Sequence, residues 1–514
     1  MNRFGFWFSI VILLSCFTST AQAKDIAGLG TVHFATSCSK KAEGHFLTGL
    51  AALHSFWYEK AREEFQMAAG ADPKSCTIAL WGEAMTHNYP IWARPQDMKS
   101  AQKVLAKIPD KLDSLKAEER GLLRTLNKLY DSNLEWNERV TQYSHEMARL
   151  HQQFPEHLEI GAFYSLSLQD IKEPKAHKHM RLITAGAIGL ELLKKYPRHP
   201  GALHYTIHAF DDPVHAPLAL PAANVYADVS PDSSHALHMP GHIYVQMGNW
   251  QKALKVNQRS WDVSQQQDWH TLTWLNYAYL QMGQLKKSSE LLAFAKQASE
   301  KHHHLLAHYY EMAAFHVVEG QLWSEATKLL DGWQQIEDHG MEHSQARFAS
   351  ALSAYNLKDK AALRRLAGEC DKTLKQKAFS GRSAHFELQI RNLATMCVAL
   401  YDFSHKRESK ALSRLAELAG INANEYLAYG VPFEVIPIEE FAADLLDRAG
   451  KTTEAWASLE SSFTRFVGRS RGLTLAEHLL GRLEQEEKAT DFREQLKANW
   501  SQADPEWNRG LSHR

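Results

Sequence analysis

The chain has 514 residues, with 58 Lys and Arg against 59 Asp and Glu and 44% hydrophobic residues. This composition excludes a disordered, collagen-like or disulfide-dense chain, and the balanced charge argues against a nucleic-acid-binding protein, which needs a basic face. The unusual number is 28 histidines, and their arrangement along the chain becomes the main question.

The first 23 residues are typical of a secretory signal peptide. Arg3 precedes an apolar stretch over 4–17, and Ala21-Gln22-Ala23 supplies a small-x-small cleavage site. We therefore expect a soluble periplasmic or secreted chain that begins at Lys24, with lipid attachment at Cys16 as the less favoured alternative. No other run reaches the roughly 18 to 20 apolar residues of a transmembrane helix.

Signal-peptide cleavage would leave four cysteines in an oxidising compartment, namely Cys38, Cys76, Cys370 and Cys397. Pairing nearest neighbours joins Cys38 to Cys76 and Cys370 to Cys397, which is one of three connectivities. Free buried thiols are the alternative. The absence of a C-x-x-C spacing argues against a metal or redox site built on cysteine.

Apolar residues recur at helical spacing, for example over 61–69 and 441–463, and no segment alternates in the manner of a strand. The segment Tyr244-Val-Gln-Met-Gly248 recurs 35 residues later as Tyr279-Leu-Gln-Met-Gly283. A helical period near 34 residues is that of the tetratricopeptide repeat (TPR). We therefore predict an all-α fold, a TPR-like α-solenoid of antiparallel helical hairpins.

The repeat pattern divides the chain into segments without sharp boundaries. We predict a signal peptide over 1–23, N-terminal TPR-like repeats over 24–95, helices with a degenerate repeat over 96–198, central repeats over 199–329 and C-terminal TPR-like helices over 330–514. The central segment contains the densest group of histidines.

Four of these histidines follow the repeat register. His204 and His208 stand at i and i+4, as do His238 and His242, so each pair lies on one helical face. The two pairs are 34 residues apart and occupy positions 5 and 9 of consecutive repeats, on the predicted concave surface. Neighbouring helices pack at about 8 to 10 Å, so we expect all four side chains to converge on one point.

Further candidate ligands lie close by in the sequence. Counted by position in the repeat, four further residues fall near the histidine pairs, namely Asp211, Asp212, His215 and His235. Imidazole and carboxylate groups bind Zn, Mn, Fe, Ni and Cu, and either aspartate would bind directly or orient a histidine. The pattern predicts a divalent transition metal centre; a metal-free polar groove for a peptide or small anion, and simple packing, are the alternatives.

These segments carry a resemblance to a known family. The similarity lies in Thr36 to Cys38 with Gly49 to Tyr58, in Ala79 to Met85, in His204 to Pro217 and in His235 to Trp250. There the chain resembles exported and cytosolic bacterial TPR proteins with fungal relatives, a family without a settled activity. The resemblance implies the fold, the histidine site and the Cys38–Cys76 pairing. The family usually has serine where this chain has Gly241.

Two functional hypotheses follow. The first is an exported metal-dependent enzyme or metal carrier, and the second is a metal-free scaffold that binds a peptide or envelope protein. The sequence contains no G-x-S-x-G, P-loop, H-E-x-x-H or G-x-G-x-x-G motif, so no catalytic residue is predicted. The run His302-His303-His304 is interpreted as a solvated surface segment.

Overall fold

A computed structural model describes residues 24–92, 94–172, 177–336, 340–377, 384–423, 430–505 and 507. The predicted signal peptide, with Cys16, lies outside the described residues. Across the described ranges, no helix is both long enough and apolar enough to cross a membrane.

The fold is all-α, a TPR-like α-solenoid of antiparallel helical hairpins, as the sequence predicted. Its first nine helices are α1 (Lys40–His54), α2 (Tyr58–Ala71), α3 (Ile78–Met85), α4 (Met98–Leu105), α5 (Ala117–Leu129), α6 (Trp136–Gln153), α7 (Leu158–Asp170), α8 (Lys178–Lys195) and α9 (Pro200–Ala209). The central helices are α10 (Ala216–Val229), α11 (Ser234–Gln246), α12 (Trp250–Val263), α13 (Trp269–Gln281), α14 (Leu285–Lys301), α15 (Leu306–Glu319) and α16 (Ala326–Leu329). The C-terminal helices are α17 (Met341–Asn356), α18 (Lys360–Lys375), α19 (Ala384–Ser404), α20 (Glu408–Ala423), α21 (Ile438–Arg448), α22 (Thr452–Ser462), α23 (Ser470–Arg482) and α24 (Glu486–Asn499).

Small residues allow the two helices of a hairpin to approach, as the repeat pattern requires. A Cβ atom added to Gly49 of α1 would lie 3.0 Å from the ring of Phe65 and 3.2 Å from the carbonyl oxygen of Ala61, both on α2. Phe65 and Ala61 are fully buried. These three residues therefore lie at the contact between the two helices.

A β-hairpin that the sequence did not predict precedes the first helix. Its strands β1 (Lys24–Ile26) and β2 (Gly30–Val32) pair antiparallel, with Lys24 opposite Val32. The Thr31 N–H also donates to the carbonyl oxygen of Arg198, at 3.0 Å, so the hairpin is tied to the turn before α9. Strands of three residues are too short to show alternation in a sequence.

The C-terminal part of the chain packs back onto the central repeats. The turns after α11 and α13 contain Gly248 and Gly283, both with positive φ. A Cβ at Gly248 would lie 2.8 Å from the carbonyl oxygen of Val467, and Asp504 donates its backbone N–H to the carbonyl oxygen of Gly283 at 3.0 Å. The motif that revealed the repeat thus also provides two contact points for the end of the chain.

A buried charge network holds this junction together. Arg469, just before α23, is 1% exposed. Its guanidinium donates to Glu319 at 2.8 Å and to Glu440 at 3.1 Å, and it also contacts the hydroxyl of Tyr277. The carboxylates come from α15 and α21, and the tyrosine comes from α13, so one cation joins helices from the central and C-terminal segments.

The cysteines follow one of the two predicted pairings. Cys38 and Cys76 form a disulfide that joins the start of α1 to the turn before α3. The pairing of Cys370 with Cys397 is wrong, because both are buried free thiols on α18 and α19. The two side chains are close enough to interact, and Cys397 lowers the pKa of the Cys370 thiol.

Reduction of the disulfide is expected to destabilise the N-terminal repeats. The bond closes a segment of 38 residues, and the loss of a disulfide of this span costs about 2–4 kcal/mol. The melting temperature of the wild type is expected to fall when a reductant is added. The variant Cys38→Ser with Cys76→Ser should melt at the lower temperature with or without reductant. A wild-type melting temperature that does not change when reductant is added would contradict this prediction.

Candidate metal centre

The helices that carry the histidines begin at well-defined caps. His199, Ser233 and Asp268 precede α9, α11 and α13, and each side chain accepts a hydrogen bond from the backbone N–H three residues further on, at 3.0, 3.3 and 3.1 Å. Pro200 also occupies the first position of α9, where its missing N–H costs nothing. These caps fix where each helix starts and hence which face its histidines occupy.

The structure groups the histidines into two sets of three rather than one set of four. In each set, one ring nitrogen of each histidine lies within 4.8 Å of a ring nitrogen of the other two. The first triad is His204, His208 and His235, and the second triad is His238, His242 and His270. The sequence predicted that the two i, i+4 pairs converge on one point. In the structure, each pair belongs to a separate triad, and the two triads are adjacent.

Each triad follows the same rule. An i, i+4 pair on one helix is completed by the first-turn histidine of the next equivalent helix, His235 for the first triad and His270 for the second. The triads are neighbours, because the ring centroids of His208 and His242 lie 6.3 Å apart and those of His235 and His238 lie 6.5 Å apart. The same arrangement of three histidines therefore occurs twice, at equivalent positions of consecutive repeats.

Hydrogen-bond partners outside the second triad fix the protons on its rings. Nδ1 of His242 lies 2.6 Å from a carboxylate oxygen of Asp211. Nδ1 of His238 lies 2.6 Å from Oδ1 of Asn257, whose amide N–H donates to the carbonyl oxygen of Ala253 at 2.8 Å. Both histidines thus face acceptors and must carry their proton on Nδ1, an assignment made from the network.

This assignment leaves two lone pairs in contact. The Nε2 atoms of His238 and His242 are 2.9 Å apart, and when both rings are neutral no proton lies between them. Burial, together with the nearby His242 and His270, holds the pKa of His238 well below its usual range, so an added proton on His238 is disfavoured. A metal cation would accept both lone pairs at once.

The first triad is prepared in a similar way. Nδ1 of His204 donates to the backbone carbonyl oxygen of His54 at 2.7 Å, and its Nε2 lies 3.1 Å from Nε2 of His235. Nε2 of His208 is buried and has no hydrogen-bond partner within the described part of the chain. Burial and neighbouring histidines hold the pKa of all three rings well below the usual range, which keeps them in the neutral form that binds metal.

Aromatic side chains surround both triads. Phe56 stacks on His235 with 5.4 Å between ring centroids, and Trp274 lies 4.3 Å from the ring of His242. Trp92 lies 5.5 Å from His235 and is 38% exposed, and His270 is also exposed. The centre is therefore enclosed by apolar walls but open to solvent on one side.

The remaining predicted ligands have different roles. Asp211 orients His242, and its second oxygen accepts from the side-chain amide of Gln246 at 3.1 Å. Asp212 accepts the backbone N–H of His215 at 2.9 Å and pairs with its ring at 2.8 Å. Asp212 and His215 belong to neither triad, because α9 ends at Ala209 and the chain beyond it turns instead of continuing the helical register.

The structure also brings together a third group of ionisable side chains that the sequence did not predict. His54, Glu159 and His199 lie together and are all 0% exposed. The ring of His54 lies in the core. No local spacing links these residues, since Glu159 is 105 positions from His54 and 40 from His199.

This third group is a closed hydrogen-bond network. Glu159 accepts from Nε2 of His54 at 2.6 Å, from Nε2 of His199 at 3.2 Å and from the backbone N–H of His33 at 3.0 Å. Nδ1 of His54 lies 2.9 Å from the hydroxyl of Tyr205, and Nδ1 of His199 accepts from the backbone N–H of Ala202 at 3.0 Å. Burial alone would raise the pKa of Glu159, but His199 and His54 hold it well below its usual range. Every ring nitrogen has a partner, so this group lacks the free lone pairs of the two triads.

Gly241 is matched to Asn257. A Cβ atom at position 241 would lie 2.8 Å from Nδ2 of Asn257, and Asn257 is the fully buried residue that orients His238. The absence of a side chain at Gly241 therefore leaves room for the amide to reach the histidine.

Gly241→Ala is expected to destabilise the protein by about 1–3 kcal/mol, because the added methyl group overpacks the contact with Asn257. Denaturant unfolding measures this effect. Gly368→Ala is the matched control: this glycine lies in the exposed part of α18 with no atom within 4 Å of its added Cβ. That change should raise stability by up to about 1 kcal/mol. Equal effects of the two changes would contradict the account.

Comparison with known proteins concerns the fold alone. Neither a family model nor a curated protein matches the chain. Among solved structures, the human IFIT1 dimer with m7Gppp-AAAA is similar, with a TM-score of 0.38 and 13% identity over 82% of this chain and 89% of that chain. The P58(IPK) TPR domain gives a TM-score of 0.22 and 13% identity over 87% of this chain and 99% of that chain.

Proposed function

We propose that this chain is an exported metal-binding protein whose histidine triads, between α9, α11 and α13, hold a divalent transition metal. The observation that carries the proposal is the 2.9 Å approach of Nε2 of His238 to Nε2 of His242, in two rings whose Nδ1 atoms both face acceptors. In neutral rings of this tautomer the two facing lone pairs repel unless a cation lies between them. Export rests on the predicted signal peptide.

The surroundings of the rings support the same function. Metal-bound histidines usually donate their other N–H to a carboxylate or carbonyl group, which fixes the ring and raises its basicity. His242 donates to Asp211 and His204 donates to the carbonyl oxygen of His54. Each i, i+4 pair thus contains a histidine oriented in the manner of a metal ligand.

Three imidazoles leave at least one coordination position of an ion open. Such open sites activate water or polarise a substrate in metalloenzymes, and they also allow exchange with another ligand in a metal carrier. The exposed ring of His270 and the exposed Trp92 lie at the accessible side of the centre. The proposal therefore covers a metal-dependent enzyme or a metal carrier.

Elemental analysis of the untagged protein, produced with its own leader and purified without chelators, tests the proposal. The wild type is expected to contain metal in stoichiometric amount, and the variant His204→Ala with His238→Ala should lose it. A variant with alanine at positions 302, 303 and 304 controls for the exposed surface histidines and should retain the metal.

One outcome would overturn this function. If the wild type is isolated without metal and stays metal-free after incubation with Zn, Mn, Fe, Ni and Cu, the triads are not a metal centre. The groove between the helices would then favour the alternative, a scaffold that binds a peptide or envelope protein.

A further inference from the structure

We propose that the two triads hold a pair of copper ions, one in each triad, within a single centre. This inference rests on the proposed metal-binding function and names the metal and the number of ions.

The nitrogen separations favour a square rather than a tetrahedral geometry. Two nitrogens 2.9 Å apart, as in His238 and His242, subtend an angle of about 90° at an ion about 2.0 Å from each. A tetrahedral ion would need them about 3.3 Å apart. The separation of 3.1 Å between His204 and His235 is also short. Angles near 90° with nitrogen donors are typical of Cu(II) and Ni(II).

The donor set favours copper over the other metals. Both triads consist of imidazoles alone, a donor set that suits Cu, Ni, Fe and Zn, whereas Mn prefers carboxylate and water ligands. For a given nitrogen site, affinity rises from Mn through Ni to Cu and falls again at Zn. An all-imidazole site with one close pair of nitrogens is therefore expected to bind copper most tightly when several metals compete.

The triads are close enough to form one two-ion centre. The closest rings across the boundary are His208 with His242 at 6.3 Å and His235 with His238 at 6.5 Å between centroids. Ions bound to the two triads would then lie side by side along the histidines of α11, one toward α9 and the other toward α13. Because the repeat generates both triads by the same rule, each has the ligands for an ion of its own.

A buried carboxylate provides compensating charge beside the second triad. Asp211 accepts directly from His242, and an anion next to a bound cation reduces the cost of placing positive charge in an apolar environment. The first triad is connected to a buried carboxylate only indirectly, since Glu159 binds the ring of His54, whose carbonyl oxygen orients His204. This arrangement also gives the third group of ionisable residues a positioning role.

The test is a copper titration of the metal-free protein, followed by removal of loosely bound metal and elemental analysis. We expect two copper ions per chain in the wild type. His270→Ala and His235→Ala should each lower the content to one, and alanine at 302, 303 and 304 should leave it at two. Electron paramagnetic resonance should show interacting Cu(II) ions in the wild type and isolated ions in each single variant.

Competition and folding controls make the outcomes decisive. Copper is expected to remain bound when equimolar Zn and Ni are added. His270 is exposed, so His270→Ala should keep the wild-type circular dichroism spectrum, and it decides the result if His235→Ala fails to fold. One copper per chain in the wild type would overturn the pair, and displacement by equimolar Zn or Ni would overturn the choice of copper. Absence of every metal would instead overturn the proposed function.

Discussion

Asp211→Asn is expected to weaken metal binding at the second triad about 10- to 100-fold, the usual effect of removing a partner that orients a metal-binding histidine. The carboxylate accepts from both His242 and Gln246. An asparagine keeps one acceptor oxygen but has no negative charge, so it polarises the His242 N–H less and leaves the ring a weaker base toward a metal. Competition with a chromophoric chelator measures the change in affinity.

Asp212→Asn is the matched control for this prediction. Asp212 is the next residue and is similarly buried, but its carboxylate serves the turn and the ring of His215. Its substitution is expected to leave metal affinity at the wild-type value. Wild-type affinity in Asp211→Asn, or an equal loss in both variants, would show that Asp211 does not act through His242.

Arg469→Ala is expected to lower the free energy of unfolding by about 3–5 kcal/mol, because removal of one partner leaves buried charges without compensation. The guanidinium is buried between Glu319 and Glu440 and contacts Tyr277. Substitution would leave the buried Glu319 without an ion pair, whereas Glu440 would keep Arg471 at 3.3 Å. It would also weaken the junction between the central and C-terminal helices. Denaturant unfolding followed by circular dichroism measures the loss.

The exposed pair of Arg365 and Glu369 on α18 provides the control for this change. Their side chains are 3.0 Å apart and largely solvated, so Arg365→Ala should stay within about 0.5 kcal/mol of the wild type. A loss for Arg469→Ala no larger than this would contradict the structural role of the buried network. Unfolding in two steps, with the C-terminal helices first, would locate the damage at the junction.

The fold was largely predictable because the repeat imposes steric rules that appear in the sequence. The recurrence of Tyr244–Gly248 at Tyr279–Gly283 indicated helical hairpins, and in the structure both segments end helices at equivalent turns. The β-hairpin at Lys24–Ile26 was missed because strands of three residues leave no pattern. The return of the C-terminal segment onto Gly248 was also invisible, since it depends on the curvature of the whole solenoid.

The site was only partly predictable for a related reason. The register placed His204 above His238 in the repeat, but it did not show that His235 and His270 complete separate triads, because ring orientation depends on partners such as Asn257 and Asp211. The positions of ligands on neighbouring helices follow from their packing, which the repeat count alone does not provide.

Diffraction from crystals of the metal-loaded protein, measured on both sides of the absorption edge of the bound metal, tests the central claim most directly. The account predicts an anomalous peak about 2.0 Å from Nε2 of His238 and of His242, within reach of His270. A metal-loaded crystal with no peak between these nitrogens, or with peaks only at the exposed run 302–304, would contradict it.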